Sequence, residues 1–284
     1  MRHAALSALI LIASIAVARA DDRASDVSIP MVAGDGEHLN LAGRVCRPAG
    51  DGPSRVVVIN HGSPVSASAR PRMELTECDA EATQWFTRRG YVVVYALRRG
   101  YGDSDGDWAE GYGHCSDPDF VRAGLSSARD IAAIVRYALA LPYARHDGAV
   151  VIGQSAGGWG TIAYASQTPK DVAAFVVMAG GRGGHADGEA NENCQPGRLV
   201  QAAGRFGATA RLPMLWIYAL NDSFFDPSLA SAMHDAFTRA GGNAQFIQPP
   251  PFGDDGHHLF FGDGGPAVWG APVAAYLARM GATP

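Results

Sequence analysis

The stretch Ala149-Val-Val-Ile-Gly-Gln-Ser-Ala-Gly-Gly-Trp159 governs the reading of this 284-residue chain. Its apolar, β-branched opening is a buried-strand signal, and it stops at Gly153. One serine then stands between two glycines, in the pattern G-x-S-x-G, and a helix-compatible run begins after Ser155. Glycines on either side let the backbone turn sharply, so the serine hydroxyl is expected to stand above the end of a sheet. A strand, a sharp turn and a helix in that order give the motif its meaning.

Working outward, the same kind of apolar run recurs at Arg55–Asn60, Tyr91–Ala96, Val172–Met178, Met214–Tyr218 and Ala244–Gln248. Continuous apolar strands without alternation suit a parallel sheet covered on both faces. Helical spacing lies between them. Ile131, Ile134, Val135, Ala138 and Leu139 form one apolar stripe, closed by Pro142. Leu229, Ala232, Met233, Ala236 and Phe237 form another, with Asp226 as expected N-cap, Pro227 in the first turn and Gly241-Gly242 at the end. Alternation of strand and helix predicts an α/β fold with a mostly parallel sheet. Val27–Cys46 alternates less cleanly and is expected to form an antiparallel edge. Gly180 to about Pro213, rich in Gly and Asn, is expected to be an irregular, lid-like insertion.

The chain is 47% hydrophobic and 18% charged, which supports one large core and a single domain. Its charges are scattered and its formal net charge is −5, so the basic face of a nucleic-acid binder is missing. Arg2, an apolar run from Ala4 to Val17 and Ala18-Arg19-Ala20 read as a signal peptide over residues 1–20, leaving 21–284 as the domain. The apolar run is too short for a comfortable span, so no stable membrane insertion is expected after cleavage. The expected location is therefore secreted or periplasmic. In such a compartment Cys46, Cys78, Cys115 and Cys194 are free to form disulfides. At least one bridge is expected to tie loops around the site. Cys78–Cys115 is favoured over Cys115–Cys194, because their parent strands are expected to be neighbours, with Cys46 a buried free thiol.

A serine at its ordinary acidity needs a base. Asp222 comes just after the strand Met214–Tyr218, and His257 lies in Phe252-Gly-Asp-Asp-Gly-His-His258 after the last strand. The order Ser155, Asp222, His257 is that of α/β-hydrolases. Ser155 is the candidate nucleophile, His257 its base and Asp222 the acid that orients the imidazole. Asp226 competes for the acid's place but is explained as a cap. Asn60-His-Gly-Ser-Pro64 comes directly after a strand, and the amides of Ser63 and Ala156 are the candidate oxyanion donors. His61 is expected to shape that loop, and His258 to point elsewhere. Arg98, Arg99 and Arg182 come after strands that should end near the site; one could meet a substrate carboxylate, although structural roles are favoured.

With these residues in view the chain resembles the α/β-hydrolase superfamily, and within it the dienelactone hydrolase-like branch and related peptidase-like esterases. The resemblance rests on His61–Pro64, Arg98–Ser104, Gly153–Trp159, Trp216–Asp222 and Gly253–His257, which span most of the chain in family order. It implies a mostly parallel central sheet with helices on both faces, and serine hydrolysis of a small-molecule ester without cofactor or metal. Dienelactone hydrolases carry a cysteine nucleophile and are cytoplasmic. Ser155 behind a signal peptide therefore favours carboxylic esters over dienelactone.

Three alternatives stand beside this reading. A serine peptidase of the same fold would use the same residues. A non-catalytic binding protein on this fold is disfavoured by the presence of all three triad positions. Gly181–Ala186 formally matches G-x-G-x-x-G/A, but the adjoining stretch Asp187–Gly197 does not read as a helix that could hold a pyrophosphate. Neither H-E-x-x-H nor C-x-x-C occurs, and the sequence carries no signal for oligomeric state.

Overall fold

A computed structural model describes residues 23–284; the expected signal peptide lies outside the described residues. Eight strands form one sheet in the order β1-β2-β4-β3-β5-β6-β7-β8. The first two, β1 (Ala24–Val32) and β2 (His38–Cys46), make an antiparallel hairpin from Ala24↔Cys46 to Val32↔His38. This is the antiparallel edge expected for Val27–Cys46. The other six are mutually parallel: β3 (Val56–Asn60), β4 (Val92–Ala96), β5 (Ala149–Gln154), β6 (Val172–Met178), β7 (Met214–Ile217) and β8 (Ala244–Ile247). All six coincide with apolar runs in the sequence.

Helices cover both faces, which is why these strands need no polar side. Every residue of β3, β4 and β5 is buried. Alternate side chains enter opposite layers, as the pleat requires. Val56 and Val58 pack in one layer with α2 (Phe120–Leu139), α3 (Ala156–Ala165), α4 (Pro196–Gly207) and α5 (Pro227–Arg239). Val57 and Ile59 pack in the other with α1 (Glu81–Thr87) and α6 (Gly265–Arg279), around Trp85, Phe86 and Trp269.

Two helix predictions hold with different extents. The first reaches back to Phe120, where the Asp119 carboxylate accepts from the Arg122 amide at 2.9 Å. The second starts at Pro227, and Asp226 accepts from the amides of Ser228 (2.7 Å) and Leu229 (3.1 Å), so its capping role is geometric fact. The expectation of one irregular region from Gly180 to Pro213 is corrected. Its second half is α4, whose Leu199, Ala202, Ala203 and Phe206 are buried. Gly207 lies so close to α5 that a Cβ there would come within 2.1 Å of the Phe237 carbonyl oxygen. Glycines that read as loop formers here permit close helix packing.

The favoured disulfide is also corrected. The bridges are Cys46–Cys78 and Cys115–Cys194, and no cysteine is free among the described residues. Cys46 pairs across the sheet with Val93, near the start of β4 and remote from the end where Ser155 lies. Cys78 comes after the loop that leaves β3, but the chain has by then run back along the sheet to that far end. Cys115–Cys194 is the bridge that ties loops at the site.

Strand order reverses direction between β3 and β5. In an open α/β sheet the loops leaving such neighbours diverge and open a crevice at the strands' carboxyl ends. The residues after Asn60 and Gln154 border it.

Candidate functional site

Ser155 sits at the turn from β5 to α3 with φ 53° and ψ −119°, a backbone conformation seldom adopted by a residue with a side chain. Its neighbours explain how the turn closes. A Cβ at Gly153 would lie 2.2 Å from the Gly157 carbonyl oxygen, and one at Gly157 would lie 2.4 Å from that of Asn60. The elbow is pinned by the Ser155 amide donating to the Met178 carbonyl at 3.0 Å, and by the Ser155 carbonyl accepting from Trp159 at 2.9 Å and Gly181 at 3.1 Å.

The chain brings the three residues of the candidate triad together across 102 positions. His257 Nε2 is 2.9 Å from Ser155 Oγ, and His257 Nδ1 is 3.1 Å from each oxygen of Asp222. A carboxylate only accepts, so the imidazole proton belongs on Nδ1, leaving Nε2 free to accept from the serine hydroxyl. Asp222 is buried just past β7, and its Oδ1 also accepts from the amides of Phe224 (2.8 Å) and Phe225 (2.9 Å). Asp226 is occupied with the start of α5.

Several supports were not legible in the sequence. Gln154 Nε2 donates to the His257 carbonyl at 3.0 Å, tying the elbow to the histidine loop. Asp255 accepts from the His257 amide (2.9 Å), the Ser223 amide (3.0 Å) and the Ser223 hydroxyl (2.6 Å), joining the acid loop to the histidine loop. Burial pushes its carboxyl up, but these hydrogen bonds and His257 hold it below its ordinary value. Phe224 stacks on His257. His258 is exposed and takes no part in the Ser155–His257–Asp222 contacts.

Ser63 and Ala156 line the same cleft as Ser155. Neither amide donates to another group among the described residues, and Ala156 opens helix α3, whose N-terminus favours negative charge. The loop carrying Ser63 is held from behind by His61. The Arg98 amide donates to His61 Nε2 at 3.0 Å, so Nδ1 carries the proton and donates to the Gly62 carbonyl at 2.6 Å. Burial, aided by the Arg98 charge, drives this imidazole down to about 3. His61 is a neutral brace, as expected of a loop-shaping residue.

The three arginines are tied into buried ion pairs. Arg98 and Arg182 both grip Glu110, which also accepts from Tyr101 Oη at 2.9 Å. Burial pushes Glu110 up, but Arg98 and Arg182 hold it well below the usual carboxylate range. Arg99 donates through its amide (3.0 Å) and Nε (2.8 Å) to Asp130. Among them only Arg182 also lines the cleft beside Ser155.

The X-Pro dipeptidyl-peptidase (S15 family) profile matches residues 35–206, more than half of the chain and including the serine elbow. The chain belongs to this family. It is an α/β-hydrolase-fold serine hydrolase. No curated protein matches it by sequence. Solved structures share the fold at low identity. An esterase from Pyrococcus furiosus is 15% identical with a TM-score of 0.60, covering 90% of this chain and 92% of that one. A putative dienelactone hydrolase from Klebsiella pneumoniae is 17% identical with a TM-score of 0.58, covering 91% and 98%. Dipeptidyl peptidase 4 from Porphyromonas gingivalis is 15% identical with a TM-score of 0.61, covering 92% of this S15 chain but only 36% of its own. Two disulfides suit an oxidising, extracytoplasmic compartment, and no helix among the described residues is long and apolar enough to cross a membrane.

Proposed function

We propose that this chain hydrolyses carboxylic esters of small molecules through an acyl-enzyme on Ser155. The observation that carries the reading is the contact series from Ser155 Oγ through His257 to Asp222, with 2.9 Å and 3.1 Å links. Ser155 Oγ attacks the ester carbonyl as its proton passes to His257 Nε2. Asp222 holds the imidazole by Nδ1 and stabilises the imidazolium. The oxyanion is received by the amides of Ser63 and Ala156. Collapse breaks the C–O bond, and the alcohol leaves with the proton from His257. Water then repeats the attack on the acyl-enzyme and releases the acid and free Ser155. Export to the periplasm or beyond belongs to the same proposal.

The second reading is a peptidase, favoured by the S15 family match. The same groups would cleave an amide, with His257 protonating the amine. Purified protein assayed on p-nitrophenyl esters of graded chain length beside Ala-Pro-p-nitroanilide separates the two. Turnover of esters with little or no anilide cleavage supports the first reading; efficient anilide cleavage replaces it with the second.

A further inference from the structure

Ser155 stands in the wall shared by two clefts of opposite character. One, of about 350 Å³, is lined by Met73, Tyr95, Phe224 and Phe261 and is largely apolar. The other, of about 290 Å³, runs from Ser155 and Ala156 to Arg70, Trp108 and Arg182, with Cys115–Cys194 in its wall. The charges around this second cleft do not balance. Arg98 and Arg182 share the single buried carboxylate of Glu110, whereas Arg70 pairs with no carboxylate among the described residues.

Arg70 is instead held by stacking. Its guanidinium carbon lies 3.3 Å from the Trp108 ring centroid, and Trp108 Nε1 is fixed by donation to Tyr101 Oη at 2.9 Å. A planar cation laid on an indole keeps its edge free for a planar anion. Nε of Arg70 and Nε of Arg182 are both buried without a hydrogen-bond partner, and Arg182 itself is 5% exposed. These Nε atoms are closed to solvent, so an entering carboxylate would instead meet the terminal nitrogens of half-buried Arg70, which pair with no group among the described residues. Asp187 also lines this cleft and is exposed.

We propose that the cleft walled by Arg70, Trp108 and Arg182 is a carboxylate subsite, so that the substrate carries an acid group on one side of the bond cleaved at Ser155. This rests on the serine-hydrolase reading above and narrows its substrate class. A substrate arm ending in a free ammonium, such as a peptide N-terminus, would meet the guanidiniums of Arg70, Arg98 and Arg182, which Glu110 and the exposed Asp187 do not fully neutralise. The apolar cleft across Ser155 receives the uncharged arm.

The test compares substrates that differ only in this charge: mono-p-nitrophenyl adipate against p-nitrophenyl hexanoate, and succinyl-Ala-Pro-p-nitroanilide against its acetyl analogue. At least one pair should favour the charged member at least tenfold in kcat/KM, and added salt should shrink the ratio. Arg70→Gln should abolish the preference, while Arg70→Lys, which keeps the charge, should retain part of it. Calorimetry with free adipate, against 1,6-hexanediol, reads binding without turnover; Arg70→Gln should weaken adipate at least tenfold. If neutral esters turn over but neither pair favours its charged member, the subsite is overturned and the esterase reading stands. If no substrate turns over yet adipate binds through Arg70, the subsite stands and that reading fails. Neither turnover nor adipate binding overturns both.

Discussion

The ring of Phe224 lies on that of His257, with centroids 4.1 Å apart and planes 23° from parallel. On Phe224 also stacks His185, from the loop that walls the cleft, at 3.7 Å and 8°. The imidazole is therefore oriented through its face as well as through Asp222 at its edge. Phe224→Leu keeps an apolar side chain but not the flat ring, and small misplacements of a base are expensive. We expect kcat to fall about tenfold with a smaller change in KM, read by steady-state kinetics. Unchanged kcat would mean that the ring only fills space.

Two aspartates, four residues apart, should separate by what they hold. Asp222→Asn should lower kcat on the order of 10³–10⁴-fold, since an amide would no longer fix the tautomer of the proposed base. Asp226→Ala should leave the chemistry nearly intact and cost about 0.5–2 kcal/mol of stability, because its acceptors serve the amides of α5. Ser155→Ala should fold normally and lose labelling by a fluorophosphonate probe. Equal labelling of wild type and Ser155→Ala would remove the serine from its proposed role.

The two disulfides predict different losses. Closing loops of 32 and 79 residues is worth about 4 kcal/mol each in the chain-entropy account. Replacing either pair with serine should therefore lower the urea midpoint. Only loss of Cys115–Cys194 should also raise KM, because that bridge lines the cleft beside Ser155, whereas Cys46 pairs with Val93 toward the far end of the sheet. Equal KM effects from the two pairs would contradict this division.

His61 should give stability its own pH signature. Its folded value lies near 3 against an ordinary 6.5, with burial the main cause and Arg98 the next. Below pH 6.5 the unfolded chain takes up a proton that the folded chain refuses. The stability is thus complete above 6.5 and is lost as pH falls toward 3, by up to about 1.4 kcal/mol per pH unit. His61→Gln, neutral throughout, should remove this contribution between about pH 6.5 and 4.5, a window it shares with Asp130, whose carboxyl burial pushes up to about 6. Urea unfolding at a series of pH values reads the slope; an identical slope in His61→Gln would place the titration elsewhere.

Local sequence determined the strands, the elbow and the cap. β-branched runs such as Val56–Ile59 have one stable environment, between two helical layers, and Gly153 and Gly157 report a turn that a Cβ would block. The relative order of Ser155, Asp222 and His257 was equally open to reading, because each comes after a recognisable strand. Tertiary structure alone decided what distant segments do to each other. Segment 180–213 contains a helix because Gly204 and Gly207 let it approach α5, and a glycine's neighbours cannot be read from its own stretch of chain. Cys46 met Cys78 because the loop after β3 returns along the sheet, a path that depends on packing rather than on spacing. Glu110 and Arg70 were silent in the sequence for the same reason. A charge becomes informative only when its surroundings are known: Glu110 is buried between Arg98 and Arg182, while Arg70, stacked on Trp108, has no carboxylate partner among the described residues.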